Sequence, residues 1–265
     1  MKKRELMVVG LLLASMSGYS ALYTENFSSY GIGVQPTNTT AKLNVLIING
    51  SGTTGSGNAA QLTDNSASTA AYLESNFAAN EAGEYGAVSI SFDIYNNQLA
   101  SSAGNMTFGI GSYSNNATYT MNANATRYFN LEFASAAGTF VLRANGANLG
   151  SATYNLGASN HIEVFVNDSE TAGVGYIGGT LGTNSFAVYV NNSLVGVGVK
   201  GLGASALSAG ESDGLGRFGF YSASTSINQF TVDNIVVNNL IPEPASIGLL
   251  LIGGVTVLFL RRRNR

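Results

Sequence analysis

From about Leu22 to Ile241 the apolar residues recur at every second position in short runs, and no stretch repeats them at helical spacing. Val88, Ile90, Phe92 and Ile94 share one parity, as do Met106, Phe108 and Ile110, and Phe129, Leu131 and Phe133. Phe140 and Leu142 follow, then Ile162, Val164 and Val166, then Phe186, Val188 and Val190, then Phe218 and Phe220. A period of two puts each set on one face of a strand. Gly, Asn and Ser clusters separate the runs, which is the pattern of an all-β sandwich or barrel. The run Phe230 to Val237 is apolar on both parities towards its end, so it is either buried on both faces or bulged near Asp233. Asn191-Asn192 reads as a hairpin tip. About ten to twelve strands are expected, too many for a minimal immunoglobulin-type sandwich and suited to a two-sheet jelly roll. A parallel β-helix would need a repeat of about 20 to 30 residues, and none is visible.

Composition removes whole classes of chemistry. With no Cys, disulfides, thiol catalysis and Cys-ligated metals are excluded. One His argues against an imidazole cage or a His-dependent triad. Seven of the twelve basic residues stand at the two ends, leaving five bases against thirteen acids between them. An acidic body with scattered bases has no footprint for nucleic acid.

Two motifs fail for lack of context. Gly50-Ser51-Gly52-Thr53-Thr54-Gly55 follows an apolar run, but no helix pattern opens after it, so it reads as a loop and not as a dinucleotide site. Gly210-Glu211-Ser212-Asp213-Gly214 resembles a nucleophile elbow, but a strand follows and His161 precedes it in the chain. Glycoside hydrolysis needs two carboxylates at close range. No E-x-D-x-x-E run occurs, and Glu163 and Asp168 fall on opposite faces of a regular strand. The body is therefore expected to be non-enzymatic.

Met1 to about residue 21 has a Lys2-Lys3-Arg4 head, a short apolar segment from Leu6 to Ala14 and small residues after it, the form of a secretory signal. At the other end Pro242-Glu243-Pro244 precedes sixteen uncharged residues and then Arg261-Arg262-Arg263. Sixteen helical residues span about 24 Å, short of a ~30 Å hydrocarbon core. Snorkelling arginines can cover the difference and would keep the tail cytoplasmic. The expected organisation is a signal peptide at 1–21, a β ectodomain at 22–241 and a membrane-spanning sorting segment at 242–265.

This three-part end resembles the PEP-CTERM sorting signal of Gram-negative bacteria. The resemblance implies an exosortase-type processing enzyme as partner and transient anchoring in the inner membrane. It also implies delivery to the cell envelope, outer surface or extracellular matrix, where exopolysaccharide is found. Gly57 to Asp64, Val88 to Tyr95, Phe186 to Val195, Arg217 to Tyr221 and Val232-Asp233-Asn234-Ile235 resemble phrases of the concanavalin A-like, laminin-G-like jelly rolls. That group mainly binds glycans or proteins, and some members cleave glycans.

The expected role is thus structural or adhesive, in association with exopolysaccharide. A lectin-like module for one glycan is the alternative, and a glycan-degrading enzyme ranks third. Without Trp, sugar stacking would fall to Tyr95, Phe165, Tyr189 and Tyr221, which take outward parities. The resemblance also implies a structural calcium ion tying the first strand to the last, with Glu25 and Asp233 as ligands. Glu211 and Asp213 form a second candidate loop, since loop carboxylates suit a hard ion.

Overall fold

The computed structural model describes residues 21–55, 57–64, 70–97, 105–114, 127–136, 138–144, 146–170, 173–199, 214–222 and 228–240. The expected signal and sorting segments lie outside these residues, except Ala21, which opens the first strand.

Seventeen strands are formed among the described residues. In chain order they are β1 (Ala21–Glu25), β2 (Ala41–Leu43), β3 (Val45–Asn49), β4 (Asn58–Asp64), β5 (Ala71–Asn76) and β6 (Ala87–Asn96). Then come β7 (Asn105–Gly111), β8 (Arg127–Ala136), β9 (Thr139–Ala144), β10 (Ala147–Asn155), β11 (Ser159–Asn167) and β12 (Val174–Tyr176). The last are β13 (Gly179–Leu181), β14 (Ser185–Val190), β15 (Ser193–Val199), β16 (Arg217–Ser222) and β17 (Asn228–Asn239). The excess over the expected count comes partly from three-residue strands such as β2, β12 and β13, which are too short to show a period.

One eight-stranded sheet runs β15-β14-β11-β6-β17-β4-β3, with β1 also on β17. A seven-stranded sheet runs β10-β9-β8-β7-β16-β5-β2. Every pairing is antiparallel, and the inner faces of the two sheets enclose one core, so the expected all-β two-sheet sandwich is what forms. Phe92 of the larger sheet lies 4.9 Å, ring centre to ring centre, from both Phe108 and Phe220 of the smaller one. Such ring pairs add roughly 0.5–1.5 kcal/mol each beyond the area they bury.

Strand β17 organises the larger sheet. Its first half, Asn228–Val232, pairs with β4, and its second half from Ile235 pairs with β1 along the same edge. The register against β6 slips between Asp233 and Val236, and Asn234 takes a left-handed φ of 51° there. A bulge of this kind lets one long strand change partners mid-way. The Gly50-to-Gly55 motif is the turn between β3 and β4, closed by Gly50 N–H to the carbonyl of Gly57 and leading into a strand. The Asn191-Asn192 tip has φ of 49° and 65°, the left-handed pair that a two-residue hairpin turn requires.

Candidate functional site

The four aromatic candidates are not brought together. Phe165 and Tyr189 do point away from the main core, but they are only 2% and 7% exposed. The hairpin β12–β13 folds over them, placing Tyr176 5.2 Å from the Phe165 ring, with Val174 and Leu181 around it. Gly178 is where the cover closes: a Cβ there would stand 2.5 Å from the Tyr189 hydroxyl. Burial and the neighbouring Tyr176 raise the Tyr189 pKa. These two residues therefore form a second small core and offer no stacking surface. Tyr95 is half-buried on the outer face of the eight-stranded sheet, while Tyr221 lies on the outer face of the seven-stranded one.

Tyr221 has company that its own strand does not reveal. It stands directly opposite Tyr72 of β5 on one side and Thr107 of β7 on the other. Thr107 in turn faces Glu132, and Glu132 faces Arg143. A single row across five strands thus reads Tyr72, Tyr221, Thr107, Glu132, Arg143. Directly opposed residues have Cβ atoms about 4.5–5.5 Å apart, so the row is continuous. Glu132 accepts a 2.5 Å hydrogen bond from the Asn105 side-chain amide and lies 3.9 Å from the Arg143 guanidinium. The next row is Glu74, Gly219, Gly109 and Asn130, and the one beyond it holds Asn76, Arg217 and Gly111. The glycines leave the middle of this face without side chains. Arg217 and Glu74 are both fully buried and meet at 2.5 Å. Tyr72 was legible in principle, because Ala71 and Leu73 alternate with it, but Ala71–Asn76 lacks the β-branched residues that mark a strand.

A second polar group sits at the β17 bulge on the other sheet. Asp93 holds His161 Nδ1 at 2.7 Å through one oxygen and accepts the Asn234 side-chain amide at 2.7 Å through the other. Asp233, its cross-strand neighbour, accepts the Asn234 N–H at 2.7 Å and the Thr54 hydroxyl at 3.4 Å. Burial pushes the Asp233 pKa up to about 6, against the two hydrogen bonds, and Asp93 and Glu25 add to the rise. Glu163, behind His161 on β11, is also raised by burial, with His161 acting in the opposite direction.

The expected tie between the first and last strands is present as a backbone ladder, with Glu25 opposite Ile235. The calcium cage is not evident in the same residues. Both Glu25 oxygens are engaged, one by the Phe27 N–H at 2.7 Å and one by the Tyr30 hydroxyl at 3.3 Å. Asp233 is engaged likewise, and among the described residues no three acid, His or Cys side chains converge. Calcium seeks six to eight oxygens, so this pair alone does not fit it. Glu211 and Asp213 lie outside the described residues.

No protein-family model matches the sequence, and no curated protein matches it. Solved structures do match in shape. A carbohydrate esterase from the Shiga toxin-encoding bacteriophage phi24B aligns with a TM-score of 0.53 and 13% identity, over 84% of this chain and 100% of the other. The calreticulin globular domain of T. cruzi aligns with a TM-score of 0.51 and 11% identity, over 93% and 100%. An endo-acting O-glycanase of the human gut microbiota, which initiates mucin breakdown, aligns with a TM-score of 0.50 and 11% identity, over 84% and 100%. At such identities the likeness establishes the fold alone, a two-sheet jelly roll.

Proposed function

We propose that the ectodomain is a non-catalytic carbohydrate-binding module that works outside the cell, in association with exopolysaccharide. The observation that carries this reading is the Tyr72–Tyr221 pair at the head of a polar row. Two adjacent half-buried rings offer a stacking platform, and the Thr107, Glu132 and Arg143 side chains continue from it with donors and acceptors for hydroxyl groups. The phage esterase and the mucin O-glycanase, which share the fold, are proteins of carbohydrate chemistry, and that supports the ligand class.

The spacing of the carboxylates supports binding over cleavage. Among the described residues Glu74 and Glu132 are the acids of these rows, and three strand spacings separate them, about 14 Å. Retaining and inverting glycosidases hold theirs within about 10 Å. Glu74 is moreover sealed against Arg217.

On a glycan array the full chain is expected to show one saturable sugar preference, and Tyr72→Ala or Tyr221→Ala should each weaken it at least tenfold. Binding unchanged in both variants would remove this face from consideration. Release of oligosaccharides in a polysaccharide-degradation screen would favour the enzyme reading instead.

The location half of the proposal rests on the two chain ends. An exosortase-type enzyme would recognise Pro242-Glu243-Pro244, the apolar segment and Arg261 to Arg263, and release the body to the envelope or matrix. Mature protein recovered from the cell surface is expected to begin near Leu22 and to lack Ala245 to Arg265. Intact-mass measurement checks this, and a mature pool that retains the C-terminal segment would point to a plain membrane anchor.

A further inference from the structure

Beside the first strand the surface is hollowed into an open depression of about 220 Å³. Tyr23 of β1, from the larger sheet, and Ser75 and Asn76 of β5, from the smaller one, line it on the side of the sandwich. Residues 37–40, in the connection from β1 to β2, line the rest. That connection is pinned to the body. The Asn38 N–H donates to the Tyr30 hydroxyl at 3.0 Å, and the Thr40 N–H donates to the Glu74 carbonyl at 2.8 Å. Thr40 Oγ1 accepts the Asn76 N–H at 3.1 Å. The Tyr23 hydroxyl lies 3.3 Å from both the Asn38 carbonyl and the Ser75 hydroxyl, and its ring meets Phe218 edge-on at 5.2 Å. Walls held in this way spare a ligand the cost of ordering them.

The lining has one chemical character. All seven residues are polar and none is charged. Tyr23, Ser75 and the threonines at 37, 39 and 40 supply five hydroxyls, and Asn38 and Asn76 supply two amides. A hydroxyl both donates and accepts, and an amide does so through separate atoms, so the lining suits a ligand whose own groups do both. Asn76 carries an unmet demand. Its amide nitrogen donates to the Ser114 carbonyl at 2.9 Å, while its buried amide oxygen has no hydrogen-bond partner. The neighbouring carboxylates are already engaged, Glu74 by Arg217 and Glu25 by the Phe27 N–H and the Tyr30 hydroxyl. The lining therefore presents no fixed charge to a phosphate or a carboxylate.

We propose that this depression binds a single neutral sugar residue, at the end of a glycan or on a side branch. At ~30 Å³ for each water, its volume is that of about seven waters, and it falls below the roughly 300–1,000 Å³ of drug-sized sites. That is room for one pyranose ring and not for a length of chain. The ring's hydroxyls match the hydroxyls and amides of the wall, whereas a uronate would lose hydration with no cation to receive it. A ring of about a dozen heavy atoms in an open polar site binds weakly, on the order of 10⁻³ M. The ligand class is that of the Tyr72–Tyr221 platform, but no residue is shared and neither site depends on the other. Asn76 lies four residues, about 13 Å, along β5 from Tyr72.

The test uses the full chain carrying Tyr221→Ala, purified in a sugar-free detergent. The platform is then silenced, and the binding that remains belongs to the depression. Methyl glycosides of glucose, galactose, mannose and N-acetylglucosamine are titrated by saturation-transfer NMR, with methyl glucuronide and glycerol as controls. At least one neutral glycoside should saturate, with both controls at least fivefold weaker. Adding Tyr23→Phe should weaken that glycoside at least fivefold. The ring stays against Phe218 in this variant, and an unchanged melting temperature checks that the fold is kept. Thr37→Val, at the exposed rim, is the second variant and should weaken binding at least twofold. The proposal is overturned if no neutral glycoside saturates, if glucuronide or glycerol binds as tightly, or if both variants bind as their background does. The glycan array separates the two sites. A preference that survives Tyr72→Ala and Tyr221→Ala but is lost in Tyr23→Phe would support the depression and remove the platform. The reverse pattern would remove the depression and leave the platform standing.

Discussion

Arg217→Met is expected to lower the unfolding free energy by about 3–5 kcal/mol, the cost of removing one partner of a buried ion pair and stranding the other. Arg217 and Glu74 are both 0% exposed and their charged groups meet at 2.5 Å. Glu74→Gln should cost a similar amount for the mirror-image reason. At roughly 2–4 °C per kcal/mol for a domain of this size, either change should depress the melting temperature by about 6–20 °C. The double variant Glu74→Leu with Arg217→Met should regain most of the loss, because apolar replacements of a buried pair are often neutral or better. Denaturant unfolding of the parent, Arg217→Met, Glu74→Leu and the double variant, as a double-mutant cycle, checks this. Single variants that each cost less than 1 kcal/mol would show that water reaches the pair.

That pair also helps to hold the face on which it lies in shape. Glu74 and Arg217 sit on neighbouring strands, one row beside and two rows from Tyr72 and Tyr221. The ion bond therefore fastens β5 to β16 on the same face, beside the proposed stacking platform. Tyr221 lies on a strand whose alternation is plain in the sequence. Its partners are more than a hundred residues earlier, and only the sheet order β16-β5 makes them neighbours.

The same distinction runs through the whole molecule. Alternation exposed the inward faces of β6, β7, β8, β11, β14 and β16, because burial on one side imposes a period of two that side chains must obey. It also left the run around Asp233 as either buried on both faces or bulged, and the register slip against β6 decides for the bulge. What alternation leaves undetermined is what lies over an outward face. Phe165, Tyr189 and Tyr95 have equivalent parities, yet the first two are roofed by β12–β13 and the third is not. That roof is made of two three-residue strands rich in glycine, a segment with no period to read. The buried Asp64 and Asn228 were hidden for the opposite reason. They border turn-like sequence, where Asp and Asn are ordinary, and only their burial makes them unusual.

Asp233→Asn is expected to stabilise the protein at pH 8 and to leave it unchanged near pH 3.5. The Asp233 side chain is 2% exposed at the junction where β1 and β4 meet along β17. Its pKa stands at about 6 against an ordinary 3.8, because burial and then the nearby Asp93 and Glu25 disfavour the charge. The folded state therefore holds this proton more tightly than the unfolded chain does. Stability from this group is complete below about pH 3.8, declines as pH rises through the window, and is gone above about pH 6. At 1.36 kcal/mol per pKa unit the loss amounts to about 2–3 kcal/mol. Asparagine has the same shape without the charge. Its oxygen can keep the bond from the Asn234 N–H, and its amide can donate to the Thr54 hydroxyl, which accepts as readily as it donates. The variant should thus melt about 4–12 °C above the parent at pH 8, taking ~2–4 °C per kcal/mol, and the two curves should converge on acidification. Taking the difference between the two proteins at each pH cancels the titration of groups that the substitution does not reach. A constant difference from pH 4 to pH 8 would mean that Asp233 is ionised throughout, and that the bulge tolerates its charge.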